Sequence, residues 1–183
     1  MGLFEKIFGN RQQILSAKHT FALLDGYRPS FHTWQGSIFE SDLIRAALDA
    51  HGRHAAKLTP NISGSAKSSL RNTLMVQPNN FQTWPQFLYR SAMILYARNT
   101  CFIVPVRNDY GETTGIISIL PRSWELVEDH GMVYVRFTFD NGKRRAVELN
   151  SLGILTRYQL NNDLFGEDNS ALKPTLDLIE MQR

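Results

Sequence analysis

The chain has 183 residues, of which 43% are hydrophobic, 20% charged and 11% aromatic. This composition is typical of a folded domain and excludes collagen, a coiled coil or a disordered chain. The formal net charge of +3 is too small to require a polyanionic partner, and a single cysteine excludes an internal disulfide. No apolar run approaches the roughly 18–20 residues that span a bilayer, so we expect no membrane segment.

The first segment of the chain has an apolar helical face formed by Leu3, Phe4, Ile7 and Phe8. A helix of about two turns is too short to be stable alone in water, so it needs a surface to dock on. A membrane surface and a partner subunit both fit the pattern, and the subunit is favoured. We expect Phe4, Ile7 and Phe8 to contact a neighbouring subunit, and residues 1–36 to form this helix and an extended arm.

A long amphipathic helix is predicted over residues 37–58, where apolar residues recur at intervals of three and four. Gly52 lies inside this pattern and weakens the helix by about 1 kcal/mol relative to alanine. The stretch that follows, TPNISGSAKSS, has the composition of a surface loop. A short helix over residues 67–75 comes next.

The strongest helix start is Thr83-Trp84-Pro85-Gln86. Threonine and glutamine at this spacing form a capping box, and proline is well suited to the first helical turn. The helix is predicted to run to residue 96 or 98. Its apolar side is expected to bury Trp84, Phe87, Leu88, Ser91, Ala92 and Leu95.

Strands dominate the second half of the chain. TCFIVPV and GIISILP are rich in β-branched residues and separated by a turn, which predicts a hairpin. WELVE, MVYVRFTF and RRAVEL alternate apolar and polar residues, and Asn141-Gly142 predicts a two-residue turn before the last of them. GILTRY is a further candidate strand, and a last helix is predicted from about Ser170. The fold class is α+β, with helices followed by an antiparallel meander, in one domain over residues 37–183.

Cys101 is the only cysteine in the sequence and therefore the only candidate thiol nucleophile. It lies just after the helix predicted to end at residue 96 or 98. A catalytic thiolate needs a lowered pKa from a nearby base or a helix N-terminus. The preceding helix presents its electronegative C-terminal end to Cys101, and no histidine is near it in the sequence. Free cysteine is also among the most buried residue types, so we expect Cys101 to be a buried structural residue.

Other residues with catalytic or metal-binding chemistry are scattered. His51 and His54 could share a helix face, but no Cys pair or HExxH pattern completes a zinc site. Two acidic clusters have residue types that bind hard cations or act as an acid/base pair, and we expect both to be solvated: Glu125, Glu128 and Asp129, and then Asp163, Glu167 and Asp168. The sequence has no P-loop, GxGxxG or GxSxG motif. We expect no catalytic residue, cofactor or metal ion.

A basic hairpin tip is predicted where Lys143, Arg144 and Arg145 follow the Asn141-Gly142 turn. Clustered cations can contact phosphate, so these three residues are the candidate nucleic-acid contact. No aromatic stacking motif accompanies them, and a solvated turn is the favoured interpretation.

The order of these elements resembles the portal proteins of tailed bacteriophages. The resemblance rests on the helix SDLIRAALDAHGRHAAKL, the Pro-Asn element in LMVQPNN, and a helix-to-strand passage in which Asn99 matches the family. GIISILPRSWELVE resembles a Leu-x-Pro-x-x-Val segment, with Leu120, Pro121 and Trp124 in corresponding places. Gly166 resembles the glycine that precedes a family helix, although an insertion separates it from Ser170 and Ala171 replaces a proline.

This resemblance implies a subunit of a ring, typically of twelve copies, at one vertex of a virion capsid. Terminase threads double-stranded DNA through such a ring, and capsid or scaffold proteins and tail adaptors attach to it, with assembly in the host cytoplasm. Because family members are longer, the chain is expected to correspond to their N-terminal part, chiefly the peripheral wing. Two alternatives remain at this point: a sequence-independent nucleic-acid-binding module and a cysteine- or metal-dependent hydrolase.

Overall fold

The computed structural model describes residues 22–23, 42–65, 67–159 and 164–166. Helices precede most of the strands, as predicted for an α+β fold. In chain order the elements are β1 (Ala22–Leu23), α1 (Asp42–Ala55), α2 (Ser68–Val76), α3 (Trp84–Arg98), β2 (Thr100–Arg107), β3 (Thr113–Ile119), β4 (Ser123–Asp129), β5 (Met132–Thr138), β6 (Arg144–Glu148) and β7 (Gly153–Thr156). None of the described helices is long and apolar enough to cross a membrane.

The strands form two antiparallel sheets. The outer sheet has the order β1-β4-β5-β6, and the inner sheet has the order β3-β2-β7. The predicted β2–β3 hairpin and the β4-β5-β6 meander are confirmed, and β7 confirms the candidate strand in GILTRY. The division into two sheets was not predicted. It occurs at Pro121, which has no backbone N–H to donate and lies between β3 and β4.

The two sheets face each other across the main hydrophobic core. Phe102, on the central strand of the inner sheet, makes edge contacts with the rings of Trp124, Phe137 and Phe165 at centroid distances of 5.1, 4.9 and 5.7 Å. Such aromatic pairs add about 0.5–1.5 kcal/mol beyond the burial of their surface. The other buried members of this core are Val104, Val106, Ile117, Ile119, Leu126, Val135 and Val147.

The helices cover the opposite face of the inner sheet. Cys101 alternates with Phe102 along β2 and therefore points away from the main core, toward Ser91 of α3. On its far side α3 contacts α1 through a second buried cluster of Ile44, Leu48 and Ala97. The layers are thus α1, α3, the inner sheet and the outer sheet.

The helix boundaries agree closely with the predicted ones. Helix α3 ends at Arg98, and Gln86 Oε1 accepts a 2.9 Å hydrogen bond from the Thr83 N–H, as the capping box predicts. Helix α1 ends at Ala55, three residues before the predicted end, in a turn closed by the Lys57 and Leu58 amides.

Two predictions about packing and turns need correction. Trp84, Leu88 and Leu95 are only half-buried. Ile94 and Ala97 are buried instead, because α3 has α1 on one side and the inner sheet on another. The β5–β6 loop has three residues and not two, since the Phe139 N–H donates to the Lys143 carbonyl. Gly142, with φ of 73°, takes the left-handed position that such a loop requires. The last predicted helix lies outside the described residues.

Candidate functional site

The junction between α3 and β2 is built by Asn99 and Thr100, which are 3% and 1% exposed. Asn99 ends the helix in the left-handed conformation, with φ of 54°. Its carbonyl accepts a 2.8 Å hydrogen bond from the backbone N–H of Arg157, just beyond β7. The helix end is therefore tied to the edge strand of the inner sheet.

Gly166 closes this junction from the other side. Its N–H donates a 2.9 Å hydrogen bond to Thr100 Oγ1, and a Cβ at this position would collide with the carbonyl oxygens of Asn99 and Arg157. The adjacent Phe165 is 1% exposed and fills the main core. Asn99 and Gly166 belong to separate motifs in the sequence, and the structure brings them together.

Tyr96 joins three parts of the chain at the same end of α3. The ring of His51 on α1 stacks on it at 4.0 Å, and the guanidinium of Arg157 lies 3.9 Å from its centroid. His51 and His54 are both exposed, and His51 is engaged in an aromatic stack. Among the described residues no group of three or more His, Cys, Asp or Glu side chains could hold a metal ion.

The Pro-Asn element lies along the outer edge of β3. The Ile116 N–H donates a 2.7 Å hydrogen bond to the Pro78 carbonyl, and Asn79 Nδ2 donates a 2.8 Å hydrogen bond to the Ile116 carbonyl. Asn79 Oδ1 also accepts from the Phe81 N–H at 2.9 Å, which holds the loop in a turn. The element therefore satisfies both backbone groups of Ile116 and covers a strand edge that would otherwise be open to another chain.

Cys101 is buried, as predicted, with 0% exposure. Burial raises the pKa of its thiol to about 12, although a hydrogen bond with Ser91 and the charge of Arg90 oppose the shift. Burial is therefore the main cause of the raised pKa. A thiol that stays protonated and has no access to solvent cannot serve as a nucleophile.

The acidic residues on β4 do not converge. Glu125 Oε1 accepts a 2.7 Å hydrogen bond from Arg136 Nε on the neighbouring strand, and Asp129 lies 2.7 Å from His130 Nδ1. Glu128 is exposed. Asp163, Glu167 and Asp168 lie outside the described residues. The side chains of Glu125 and Asp129 are only 21% and 10% exposed, so the expectation that the first cluster is solvated is wrong for both of them. The cluster consists of separate pairs and does not form a cation site.

The three predicted basic residues lie at one end of the outer sheet, and the structure adds a fourth. The Arg122 N–H donates a 2.8 Å hydrogen bond to the Thr138 carbonyl, and Thr138 pairs with Arg144 across β5 and β6. Lys143, Arg144 and Arg122 are exposed. We call Arg122, Lys143, Arg144 and Arg145 the basic end.

Arg145 differs from its neighbours in the basic end. It pairs with the fully buried Phe137, so it lies on the core side of the sheet and is half-buried. Its guanidinium donates to the Arg144 carbonyl at 2.9 Å. The other predicted contact residues, Phe4, Ile7 and Phe8, lie outside the described residues.

No protein-family model and no curated protein matches the chain. Its fold is similar to that of a chain in the neck of an empty gene transfer agent particle, with a TM-score of 0.63 and 13% identity over 82% of this chain and 45% of that one. A chain in the virion of a native gene transfer agent particle gives a TM-score of 0.58 and 12% identity over 84% of this chain and 43% of that one. The chain therefore shares the fold of these particle components and spans less than half of their length.

A further solved structure is an HK97-family phage portal protein from Corynebacterium diphtheriae. It is 15% identical over 68% of this chain and 40% of that one, with a TM-score of 0.38. That likeness is too weak to bear on the fold.

Proposed function

We propose that the chain is a structural subunit, or the N-terminal part of a subunit, of the portal ring in a phage, prophage or related particle. The observation that carries this proposal is the fold shared with chains from the neck and the virion of gene transfer agent particles. The order of sequence motifs that resembles phage portals supports it independently.

The positions of the motif residues are consistent with a purely structural protein. Asn79 covers a strand edge, while Asn99 and Gly166 hold the α3–β2 junction closed. Cys101 is buried beneath α3, so a cysteine-dependent hydrolase has no accessible nucleophile here. A ring component needs rigid, well-closed layers more than it needs reactive groups, and these residues supply that rigidity.

The portal proposal includes a set of partners and a location. Residues 37–183 form the wing-like domain, and Phe4, Ile7 and Phe8 in the arm contact the neighbouring subunit of a ring of typically twelve copies. The assembled ring binds terminase, capsid or scaffold protein and tail adaptors, and double-stranded DNA passes through it. It occupies a capsid vertex in the virion after assembly in the host cytoplasm.

The proposed location is tested by tagging the chain in the cell that encodes it and purifying particles on a density gradient. We expect the tagged chain to co-sediment with DNA-filled particles at a fixed number of copies per particle. A tagged chain that stays with free cellular protein while particles form without it would contradict the proposal.

A second candidate function is sequence-independent contact with nucleic acid through the basic end. The observation that favours it is the position of Arg122, which adds an exposed cation beside Lys143 and Arg144. Asp140, in the β5–β6 loop, is an acidic residue near these cations. The association constant for duplex DNA falls as the salt concentration rises. On a plot of its logarithm against the logarithm of salt concentration, the slope becomes less negative by about 0.9 for each phosphate contact that is lost.

The salt dependence of DNA binding tests this second candidate. Replacing Arg122, Lys143 and Arg144 together by alanine should make this slope less negative by about two to three. Lys57→Ala is the matched control, because Lys57 is exposed but follows α1, in the layer farthest from the outer sheet. An unchanged slope in the triple variant would exclude the basic end as a DNA contact.

A further inference from the structure

Three large apolar side chains are exposed where α2 ends and the Pro-Asn element begins. Met75, Val76 and Phe81 are 48%, 79% and 53% exposed. They share one closed loop, because Trp84 Nε1 donates a 2.7 Å hydrogen bond to the Leu74 carbonyl and thereby returns the chain to the last turn of α2. We call Met75, Val76 and Phe81 the apolar loop. Exposed apolar side chains that are grouped in this way mark a protein interaction site.

The surroundings of the apolar loop are uncharged or basic. Residues 72–89 carry no charged side chain, and no aspartate or glutamate occurs from residue 50 to residue 108. The exposed Arg90 donates a 3.5 Å hydrogen bond through Nε to the Ser118 carbonyl. Ser118 is two residues beyond Ile116 on β3, so this cation lies about 7 Å along the strand from the Pro-Asn element. A complementary partner therefore combines an apolar side chain with acidic ones.

The tip of the β2–β3 hairpin carries that combination. Tyr110 is 90% exposed, more than any other large hydrophobic side chain among the described residues. Asp109 and Glu112, on either side of it, are exposed as well. Tyrosine is among the residue types that contribute most to protein interfaces, and carboxylates beside it match an arginine across the contact.

Hydrogen bonds hold the hairpin tip in one conformation. Asn108 Oδ1 accepts from the backbone N–H groups of Tyr110 and Glu112 at 3.1 and 2.9 Å. The Asn108 carbonyl accepts from the Gly111 N–H at 2.9 Å. A turn that is already fixed loses little conformational entropy on binding, so the tip presents Tyr110 in a conformation that is ready for contact.

The tip and the apolar loop do not cover each other within one chain. The Pro-Asn element contacts β3 at Ile116, four residues from Glu112, so the tip extends about 13 Å beyond that contact. With 90% exposure, Tyr110 is uncovered by its own chain. A contact between two different surfaces of identical copies is heterologous, and such contacts generate a ring when the rotation closes.

We propose that Tyr110 of one copy packs against the apolar loop of the next copy, with Asp109 or Glu112 paired with Arg90 there. The partner is a second copy of this chain, because the hairpin tip supplies both the aromatic side chain and the acids that the apolar loop and its arginine call for. This inference rests on the proposed ring and assigns the surfaces through which neighbouring copies meet.

Photo-cross-linking in the complete chain tests the contact. The photoreactive residue p-benzoylphenylalanine replaces Tyr110 in one copy, and a second, isotope-labelled copy without the probe is co-assembled with it. Mass spectrometry of the irradiated sample then identifies cross-links between copies. The control probe replaces Tyr158, which is 56% exposed beyond β7, at the opposite edge of the inner sheet from β3.

We expect cross-links from position 110 to residues 75–81 of the labelled copy, at about tenfold or more the yield of the control probe. Val76→Asp in the labelled copy should lower that yield about tenfold, because it places a carboxylate against an apolar and acidic tip. Leu58→Asp is the matched control, since Leu58 is 65% exposed and lies beyond α1; it should leave the yield unchanged.

A probe at position 110 that reaches another part of the chain, another protein or nothing would overturn the contact, as would an unchanged yield with Val76→Asp. Electron microscopy of the same samples separates this contact from the portal proposal. Rings without the expected cross-link would remove the contact and leave the portal proposal intact. Closed dimers that carry the cross-link, with no rings, would support the contact and contradict the portal proposal.

Discussion

The backbone N–H of Gly166 donates a hydrogen bond of 2.9 Å to the hydroxyl of Thr100, and this contact joins two segments that are 66 positions apart. It closes the α3–β2 junction over the main core. The neighbouring carbonyls of Asn99 and Arg157 leave no space for a Cβ at Gly166.

Gly166→Ala should therefore destabilise the protein by about 1–3 kcal/mol or more, because backbone atoms cannot move aside as a side chain can. Gly142→Ala is the control. Gly142 has a positive φ but open space around it, so alanine there costs only backbone strain. Urea unfolding of both variants checks the prediction, and an equal loss in the two would show that steric collision at Gly166 is unimportant.

Asn79→Ala should cost about 1–3 kcal/mol, because Asn79 is 4% exposed and the Ile116 carbonyl and the Phe81 N–H both lose their side-chain hydrogen-bond partner. Asn79→Asp keeps the acceptor for Phe81 but places a carboxylate against a carbonyl, so it should be no better than alanine. The exposed neighbour Asn80 provides the matched control, and Asn80→Ala should be close to neutral. Hydrogen exchange at Ile116 should increase in the two Asn79 variants alone; unchanged exchange there would refute the edge-covering role.

Gly52→Ala should lower the stability of the protein by disturbing the packing of α1 against α3, although helix propensity alone favours alanine by about 1 kcal/mol. A Cβ on Gly52 would lie 2.7 Å from Cε2 of Tyr89, whose hydroxyl donates a 2.7 Å hydrogen bond to Asp49 Oδ1. With Tyr89→Ala as background, the same substitution should become stabilising. Tyr89→Phe keeps the ring, so there Gly52→Ala must remain harmful. Thermal or urea unfolding of this cycle checks the change of sign, and its absence would contradict the contact.

The buried thiol of Cys101 should make stability fall at high pH. The pKa is raised from 9.0 to about 12 in the folded protein, so the stabilisation is complete below about pH 9 and is lost as the pH rises toward 12. Between these limits the advantage of the native protein over Cys101→Ala should shrink by about 1.4 kcal/mol per pH unit. Urea unfolding at pH 8, 9 and 10 measures it. Parallel pH profiles for the two proteins, or rapid reaction of the native thiol with a disulfide reagent, would contradict the burial.

Local signals in the sequence predicted most of the elements. The capping residues Thr83 and Gln86 predicted the start of α3. The β-branched runs predicted the β2–β3 hairpin, and the alternating runs predicted the β4-β5-β6 meander. These signals act over a few residues, where side-chain periodicity and turn chemistry dominate. The separation of the strands into two sheets depends on which faces meet in three dimensions, and alternation does not specify that.

The contacts that build the candidate site are long-range and could not be predicted from local patterns. Gly166 belongs to a recognisable motif, but nothing in the neighbouring sequence indicates that it packs against Asn99. Arg122 joins the basic end only because β4 and β6 flank β5. His51 is a candidate metal ligand by residue type and spacing, and its stack with Tyr96 depends on the packing of α1 against α3. Each case requires tertiary pairing, which sequence spacing does not contain.

Electron microscopy of the purified native product tests the portal proposal most directly. We predict closed rings with a central channel and a rotational symmetry of typically twelve, and a mass that is an integral multiple of that of the subunit. A protein that stays monomeric at every concentration and in the presence of its particle partners, or that forms open, irregular aggregates, would contradict the portal proposal.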